Sequence, residues 1–410
     1  MREESALDQS LPSPEFFRDP YPYYHRLRDE HPIHWSDVWN GWILTRYDDV
    51  VTALRDTHRL SNVGRIDRFL RQLPQLSNET VEPLKNHFCR AITHLDPPDH
   101  TRLRSLIKDV FTGQLVHSMR PRIQALVNEL LAAIATSGSH RADLIRDFAY
   151  PLPATVIGEM LGVPPEDRDQ YKKWSDDIGV GLFGTGQATL ANVELARQSL
   201  LELTDYLRFL VNQRRQHPQH DLISMFMEVE RHGDRLSEAE LFSTCVTLLL
   251  AGHGTTTNLI GNGLLALLRH PDQLEYLRMT PDAIATTIEE LLRYDSPLQR
   301  IWRIATENVE INGAKINKGQ IVHAILGAAN RDPAEFPNPD QLDLKRRRNR
   351  HVSFGNGIHL CFGAPLARLQ GAIAINTIVK NFPLLKLEED ALVWEVNIFH
   401  RGLKSLPVTF

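Results

Sequence analysis

The most informative stretch of the chain is Phe354-Gly355-Asn356-Gly357-Ile358-His359-Leu360-Cys361-Phe362-Gly363, which places one cysteine among glycines directly before a helical segment. Glycines let the backbone turn tightly and approach a flat ligand closely. A helix N-terminus favours thiolate over thiol, and a thiolate beside N–H donors suits a borderline metal such as iron. The stretch therefore predicts a metal-binding thiolate. A buried free cysteine in a glycine-rich turn is the alternative.

The spacing of Phe354, Gly357, His359, Cys361 and Gly363 resembles the haem-binding loop of cytochromes P450, F-x-x-G-x-[HR]-x-C-x-G. The resemblance implies that the Cys361 thiolate is the axial ligand of haem b, iron protoporphyrin IX. It further implies that Phe354 packs near the sulfur and that His359 reaches a haem propionate.

Composition indicates an ordinary globular protein of 410 residues, 42% hydrophobic, with a net charge of -5. This mild acidity argues against a nucleic-acid partner. The three cysteines, Cys89, Cys245 and Cys361, are few and odd in number, which fits a reducing cytoplasm rather than a disulfide framework. The polar start, Met1-Arg2-Glu3-Glu4-Ser5, offers no apolar signal core, so we expect neither a membrane anchor nor a membrane partner.

A long central helix is predicted from Ser237, where S-x-x-E forms a capping box, to the proline at position 271. About 30 residues would span roughly 45 Å. Its middle, Ala251-Gly252-His253-Gly254-Thr255-Thr256-Thr257, is a poor helix former and predicts a local bulge or groove. Alternatively, the glycines allow close packing against a neighbouring element.

This cluster is similar to the oxygen-binding groove of P450s, [AG]-G-x-[DE]-T-[TS], with matches at Ala251, Gly252, Thr255 and Thr256. The resemblance implies that the hydroxyl of Thr255 is the alcohol that hydrogen-bonds the dioxygen bound in that groove. Gly254 departs from the pattern, which has a proton-delivering acid there. Three explanations remain open: a water chain or substrate group replaces the acid, peroxide supplies the protons, or the glycine is an engineered change.

Two further groups of basic residues match P450 patterns. His100 and Arg104 follow the helix start at Asp96-Pro97-Pro98 and share one helical face. Taken alone, they would be a solvated basic face. The resemblance to H-T-R-x-R implies that both contact haem propionates, and that Arg303 does so as well.

Glu290 and Arg293 are spaced i, i+3 and can pair on one helical face. An isolated E-x-x-R is usually an exposed surface pair of little energetic value. Here it resembles the E-x-x-R of P450s, which implies a buried structural pair that supports the haem loop.

Two asparagine-glycine pairs, Asn40-Gly41 and Asn312-Gly313, predict β-hairpins. The family resemblance implies a substrate pocket, whose expected lining residues are Leu250, Leu298, Ile301 and Phe399. The basic run at 345–350 is either a solvated face or a docking surface for an acidic electron donor. We expect a flexible segment at 1–15 and a joint between helices at Gly184-Thr185-Gly186.

Together these patterns predict a mainly α protein with a smaller β region, a cytochrome P450 fold forming a single large domain over 16–410. The implied activity inserts one oxygen atom from O2 into a small apolar organic substrate, by hydroxylation or epoxidation. Ferredoxin and ferredoxin reductase would supply electrons. The alternatives are a peroxide-driven peroxygenase or oxidative-coupling enzyme, and a haem-based binder or sensor without catalysis. Polyketide, terpenoid, steroid and fatty-acid substrates all remain open.

Overall fold

The computed structural model describes residues 8–11, 13–71, 73, 75–183 and 189–410, and helices dominate it. The α-helices are α1 (Pro14–Arg18), α2 (Tyr21–Glu30), α3 (Tyr47–Arg55), α4 (Arg65–Leu70), α5 (Asn78–Phe88), α6 (Asp99–Val110), α7 (Gly113–Ser118), α8 (Arg120–Thr136), α9 (Pro151–Leu161), α10 (Arg168–Phe183), α11 (Leu190–Gln216), α12 (Leu222–Glu228), α13 (Glu238–Arg269), α14 (Pro271–Met279), α15 (Ile284–Tyr294), α16 (Leu326–Ala329) and α17 (Ala364–Asn381).

The β-strands are short. They are β1 (Ile33–Ser36), β2 (Gly41–Leu44), β3 (Leu60–Ser61), β4 (Arg141–Asp143), β5 (Glu230–Arg231), β6 (Asp234–Arg235), β7 (Arg300–Ala305), β8 (Val309–Ile311), β9 (Ala314–Ile316), β10 (Ile321–Ile325), β11 (Lys386–Leu387), β12 (Val393–Trp394), β13 (Leu403–Ser405) and β14 (Pro407–Thr409). The expected class, mainly α with a smaller β region, is confirmed. Within the described ranges no helix is both long and apolar enough to cross a bilayer.

The chain forms two compact units, each assembled from segments that are distant in sequence. The first comprises Met1–Leu60, His117–Leu152 and Thr255–Phe410, and the second comprises Ser61–Val116 and Pro153–Gly254. The division therefore falls inside α9 and inside α13, so neither unit corresponds to a simple half of the chain.

The first unit contains the main sheet. Strands β1, β2, β10 and β7 are neighbours in that order; β2 is antiparallel to β1, and β10 is parallel to β2 and antiparallel to β7. Both predicted hairpins are confirmed. Asn40 and Asn312 adopt φ values of 48° and 42°, and Gly313 has φ 85°. Positive φ at both central residues is what a two-residue turn between β8 and β9 requires.

The core of this unit includes an apolar cluster beneath the sheet around Leu44, Val50 and Leu54 and another near the N-terminus. The N-terminal cluster includes part of the segment at 1–15, whose flexibility stays a prediction. Leu11 is fully buried in it, and Asp8 accepts hydrogen bonds from the backbone N–H groups of residues 37 and 38 at 2.9 and 3.2 Å. The polar composition of the first residues hid this apolar contact. Residues 1–7 and 12 lie outside the described residues.

Helices build the second unit. The long helices α10 and α11 pack against each other, and Trp174 on α10 donates to Glu202 on α11 at 2.8 Å. A buried ion pair joins Arg214 to Asp221 at 2.5 Å. The predicted joint at Gly184-Thr185-Gly186 lies outside the part of the chain that the structure describes.

Helix α13 begins as predicted, because Ser237 and Glu240 exchange the two hydrogen bonds of a capping box at 2.9 and 3.3 Å. It continues for 32 residues as uninterrupted α-helix, so the expected bulge is absent from Glu238–Arg269. Its glycines instead allow close packing. A Cβ would lie 3.1 Å from Ile157 at Gly252, 2.6 Å from Ile145 at Gly261 and 3.0 Å from Leu291 at Gly263.

Candidate active site

The cysteine loop is held in a conformation that its glycines make possible. Gly355 and Gly357 have φ values of 75° and 73°. A Cβ at Gly357 would lie 2.9 Å from the carbonyl oxygen of Leu54 on α3, so no larger residue fits without moving backbone. The backbone N–H of Cys361 donates to the carbonyl of Phe354 at 3.0 Å, which closes the loop.

The thiol of Cys361 is exposed on this loop, three residues before α17 begins at Ala364. At Gly363 a Cβ would lie only 3.7 Å from the cysteine sulfur. No group of three or more His, Cys, Asp or Glu side chains able to hold a metal occurs within the described ranges. A single cysteine donor on an exposed loop fits haem, since the porphyrin nitrogens supply the other donors of the iron.

Phe354, the first residue of the loop, lies beside a charged network that sequence reasoning missed. The Arg368 guanidinium is 4.5 Å from its ring centroid, and Arg368 donates to Glu289 at 2.6 and 2.9 Å. His351 is 3.2 Å from the same carboxylate. Burial alone would raise the pKa of Glu289, but the hydrogen bonds from His351 and Arg368 outweigh it and hold the pKa at about 2. The only feature of the sequence that pointed to Glu289 was its position next to Glu290.

The E-x-x-R residues lie at the centre of a buried network. Arg293 donates twice to the Glu290 carboxylate, at 2.8 Å each, and both side chains are essentially inaccessible to solvent. Glu290 also accepts hydrogen bonds from Arg346 at 3.1 Å and from Asn349 at 3.1 Å. Arg346 belongs to the basic run at 345–350, so that run is not a uniformly solvated face. Arg347 and Arg350 are exposed.

Three of the predicted pocket residues, Leu298, Ile301 and Phe399, lie in the first unit. Leu298 forms a β-bridge with His400, and the backbone N–H of Gln299 donates to the carbonyl of Phe399 at 2.7 Å. The side chain of Ile301 reaches the cysteine loop, 3.6 Å from the position of a Cβ at Gly355. Leu250 belongs to the second unit, where it is half-buried on α13.

The four predicted propionate contacts divide between the units. Arg303 lies in the first unit on β7, is 3% exposed, and donates to the Trp302 carbonyl at 3.1 Å. His100 and Arg104 lie in the second unit on α6, where His100 is buried and Arg104 is half-buried. A solvated basic face is therefore excluded for His100. His359 is half-buried in the loop of the first unit.

The oxygen-groove residues lie on consecutive turns of α13, with Ala251, Gly252 and Gly254 in the second unit and Thr255 in the first. No heavy atom lies within 4 Å of a Cβ built at Gly254, so space for a side chain exists there. His253 is buried, and its Nε2 atom lies 3.4 Å from the Asp176 carboxylate on α10. Its ring is thus held by a partner within the second unit.

Comparisons with known proteins agree with this arrangement. The family model described as cytochrome P450 matches residues 50–284 and 282–397. The chain is 40% identical over 405 residues to the polyketide biosynthesis cytochrome P450 PksS of Bacillus subtilis (strain 168), covering 96% of each chain. It is 39% identical over 410 residues to the biotin biosynthesis cytochrome P450 of the same organism, covering 99% of this chain and 100% of the relative.

A solved structure extends the likeness to three dimensions. The crystal structure of P450BioI in complex with hexadec-9Z-enoic acid ligated acyl carrier protein matches with a TM-score of 0.89 at 38% identity, over 97% of this chain and 100% of that one. The expected P450 fold is thereby confirmed. Both the cysteine loop and the full-length similarity place the chain in the cytochrome P450 family, whose members are haem-iron monooxygenases.

Proposed function

We propose that the chain uses O2 to insert one oxygen atom into a C–H or C=C bond of a small apolar organic substrate, in the cytoplasm. The single observation behind this proposal is the accessible thiol of Cys361 on a closed glycine loop. A thiolate there is the donor that a P450 haem requires. Two electrons would come from a ferredoxin and its reductase.

The proposed cofactor is haem b. Cys361 would ligate the iron, and four basic residues would meet the propionates: His100, Arg104, Arg303 and His359. Phe354, Gly357 and Gly363 would shape the loop around the sulfur. When bound, the haem would supply the oxygen-activating chemistry, and side chains of this chain would hold the haem and contact the substrate.

The residues of the oxygen groove on α13 and of the predicted pocket have separate proposed tasks. Ala251 and Gly252 keep α13 narrow, and Gly252 already packs closely on Ile157. Thr255 would hold and pass a proton at its hydroxyl oxygen. Gly254 has no group that can donate a proton, so a water chain or a substrate group would feed Thr255. Leu250, Leu298, Ile301 and Phe399 would contact the apolar part of the substrate.

The lack of an acidic side chain at Gly254 favours a second candidate, a peroxide-driven peroxygenase or oxidative-coupling enzyme. Peroxide arrives with its own protons and electrons, so such an enzyme needs no acid at this position. One relative is named for polyketide biosynthesis and one solved structure holds a hexadec-9Z-enoic acid ligated acyl carrier protein, which supports polyketide or acyl chains as the first substrates to test.

The test uses the purified holoenzyme and its Cys361→Ala variant. We expect the wild type to show the red-shifted ferrous–CO band of thiolate haem and the variant to lose it. Persistence of that band in the variant would refute the ligand assignment. The wild type is then supplied with either NAD(P)H, ferredoxin and reductase, or hydrogen peroxide. Substrate-dependent product in the first system supports the monooxygenase, product in the second alone supports the peroxygenase, and product in neither supports a non-catalytic binder.

A further inference from the structure

Arg300 is a buried cation in the middle of the predicted substrate-contacting segment. It lies at the start of β7, between Gln299 and Ile301, and is 4% exposed. Its Nε and Nη1 atoms are fully buried and have no hydrogen-bond acceptor among the described residues. No aspartate or glutamate in the described part of the chain forms an ion pair with it.

Other buried arginines of the same unit are treated differently. Arg293 is paired with Glu290, Arg401 with Asp295 at 2.7 Å, and Arg331 with Asp340 at 3.1 Å. An unpaired buried charge is costly, because neither water nor an opposite charge replaces its lost hydration. Burial accordingly lowers the pKa of Arg300 to about 9. Each of these three guanidinium groups has a carboxylate partner, whereas Arg300 has none among the described residues.

Aromatic rings account for part of the environment of Arg300. Its Cζ atom lies 4.2 Å from the ring centroid of Trp39 and 4.4 Å from that of Phe399. Such contacts stabilise the positive charge, but they do not satisfy the N–H groups that lie in the guanidinium plane. That planar fork is the part of arginine that binds a carboxylate with two parallel hydrogen bonds.

We propose that Arg300 binds the carboxylate of the substrate, so that the enzyme acts on apolar monocarboxylic acids. This inference rests on the proposed function and narrows its substrate class. Phe399 connects Arg300 with the predicted apolar pocket, since it contacts the Arg300 guanidinium and is one of the predicted pocket residues, together with Leu298 and Ile301. A monoanion would neutralise the positive charge of Arg300. A dianion such as a phosphate monoester would leave a net negative charge among buried aromatic rings.

The experiment measures binding of matched ligand pairs to the holoenzyme. The probes are octanoate, dodecanoate, hexadecanoate and a polycyclic carboxylate, each beside its methyl ester and its alcohol. Dissociation constants come from the spin-state shift of the haem and, independently, from calorimetry. We expect at least one acid to bind the wild type more tightly than its neutral counterparts. Arg300→Gln should raise the dissociation constant of that acid by about 10- to 100-fold, as expected for loss of a charge-assisted hydrogen bond. The dissociation constants of the neutral counterparts should change by less than about threefold.

Two variants separate a binding role from a structural one. Arg300→Lys keeps the charge and should retain part of the preference for the acid, whereas Arg347→Gln removes an exposed cation and should retain all of it. An equal loss of affinity for acids and for neutral ligands in Arg300→Gln would overturn the proposal. A wild type that binds no acid, or that binds the esters more tightly, would overturn it as well. If Arg300→Gln does not take up haem, the acid-to-ester preference of the wild type and of Arg300→Lys decides.

The outcomes also distinguish this proposal from the proposed function. Oxidation of neutral ligands, with the acids ignored, would refute the carboxylate site and leave the monooxygenase standing. Absence of the thiolate ferrous–CO band from the wild type would refute the proposed function itself.

Discussion

Replacing Gly254 by glutamate adds an acidic side chain directly before Thr255, where the P450 pattern has one. The structure accepts it, because no heavy atom lies within 4 Å of the new Cβ. The residue lies inside α13, so exchanging glycine for glutamate should also stabilise the helix by about 0.5 kcal/mol. We therefore expect a folded variant whose main change is a proton donor beside Thr255.

The expected effect concerns the use of reducing equivalents. If protons limit the productive step, a positioned acid should accelerate it, and general acids contribute about 10²- to 10⁴-fold in favourable cases. Even about tenfold, equivalent to about 1.4 kcal/mol of barrier, would greatly raise the ratio of product to released peroxide. The assay measures NAD(P)H consumed, peroxide released and product formed in the ferredoxin-supported reaction.

Two control variants identify the cause of any gain. Gly254→Gln has nearly the size and polarity of glutamate without its acidity, and Gly254→Ala gives the larger helix stabilisation, about 1 kcal/mol, without a polar group. We expect only Gly254→Glu to improve coupling, while peroxide-driven turnover stays unchanged or falls. Unchanged product per NAD(P)H in Gly254→Glu, or an equal gain in Gly254→Gln, would refute the reasoning that protons are limiting.

Three further predictions concern the network beneath the loop and the basic surface. Glu290→Gln should lower the free energy of unfolding by about 3–5 kcal/mol, because it leaves Arg293 and Arg346 buried without a counter-charge; an unchanged urea midpoint would contradict this. Glu289 has a pKa of about 2, below its ordinary value of 4.5, so its contribution to stability is present above pH 4.5 and is lost as pH falls toward 2. Glu289→Gln, in a partly exposed pair, should cost about 1–2 kcal/mol at pH 7, and urea titrations at lower pH should show the difference shrinking; a constant difference would exclude this carboxylate as its source. Arg347→Glu should slow ferredoxin-driven turnover at low ionic strength and leave peroxide-driven turnover intact, and equal effects on both would rule out a docking role.

Fixed local spacings were the part of the molecule that sequence could predict. The capping box at Ser237, the hairpin at Asn312-Gly313 and the cysteine loop each depend on residues only a few positions apart. Their geometry is set by backbone conformation and local hydrogen bonds, and such constraints are visible in a linear pattern.

Long-range pairing could not be predicted from the sequence, because it joins residues that are far apart in the chain. Arg346 looked like one cation in a basic run, yet it bonds to Glu290, 56 positions earlier. Arg300 follows the polar Gln299 and precedes the apolar Ile301, and only the fold reveals that no aspartate or glutamate of the described residues pairs with it. Leu11 was concealed by the polar residues around it. In each case the deciding quantity is which distant side chain is adjacent, and periodicity carries no such information.

The contact between Gly357 and the Leu54 carbonyl has a consequence for biosynthesis. The loop rests on a helix made from the first sixty residues, and Arg55 also donates to Asn356 across 301 positions of chain. On the ribosome, the supporting helix is therefore complete long before the loop that rests on it emerges. Cofactor capture must wait until the loop has been synthesised, when the two distant segments can first meet.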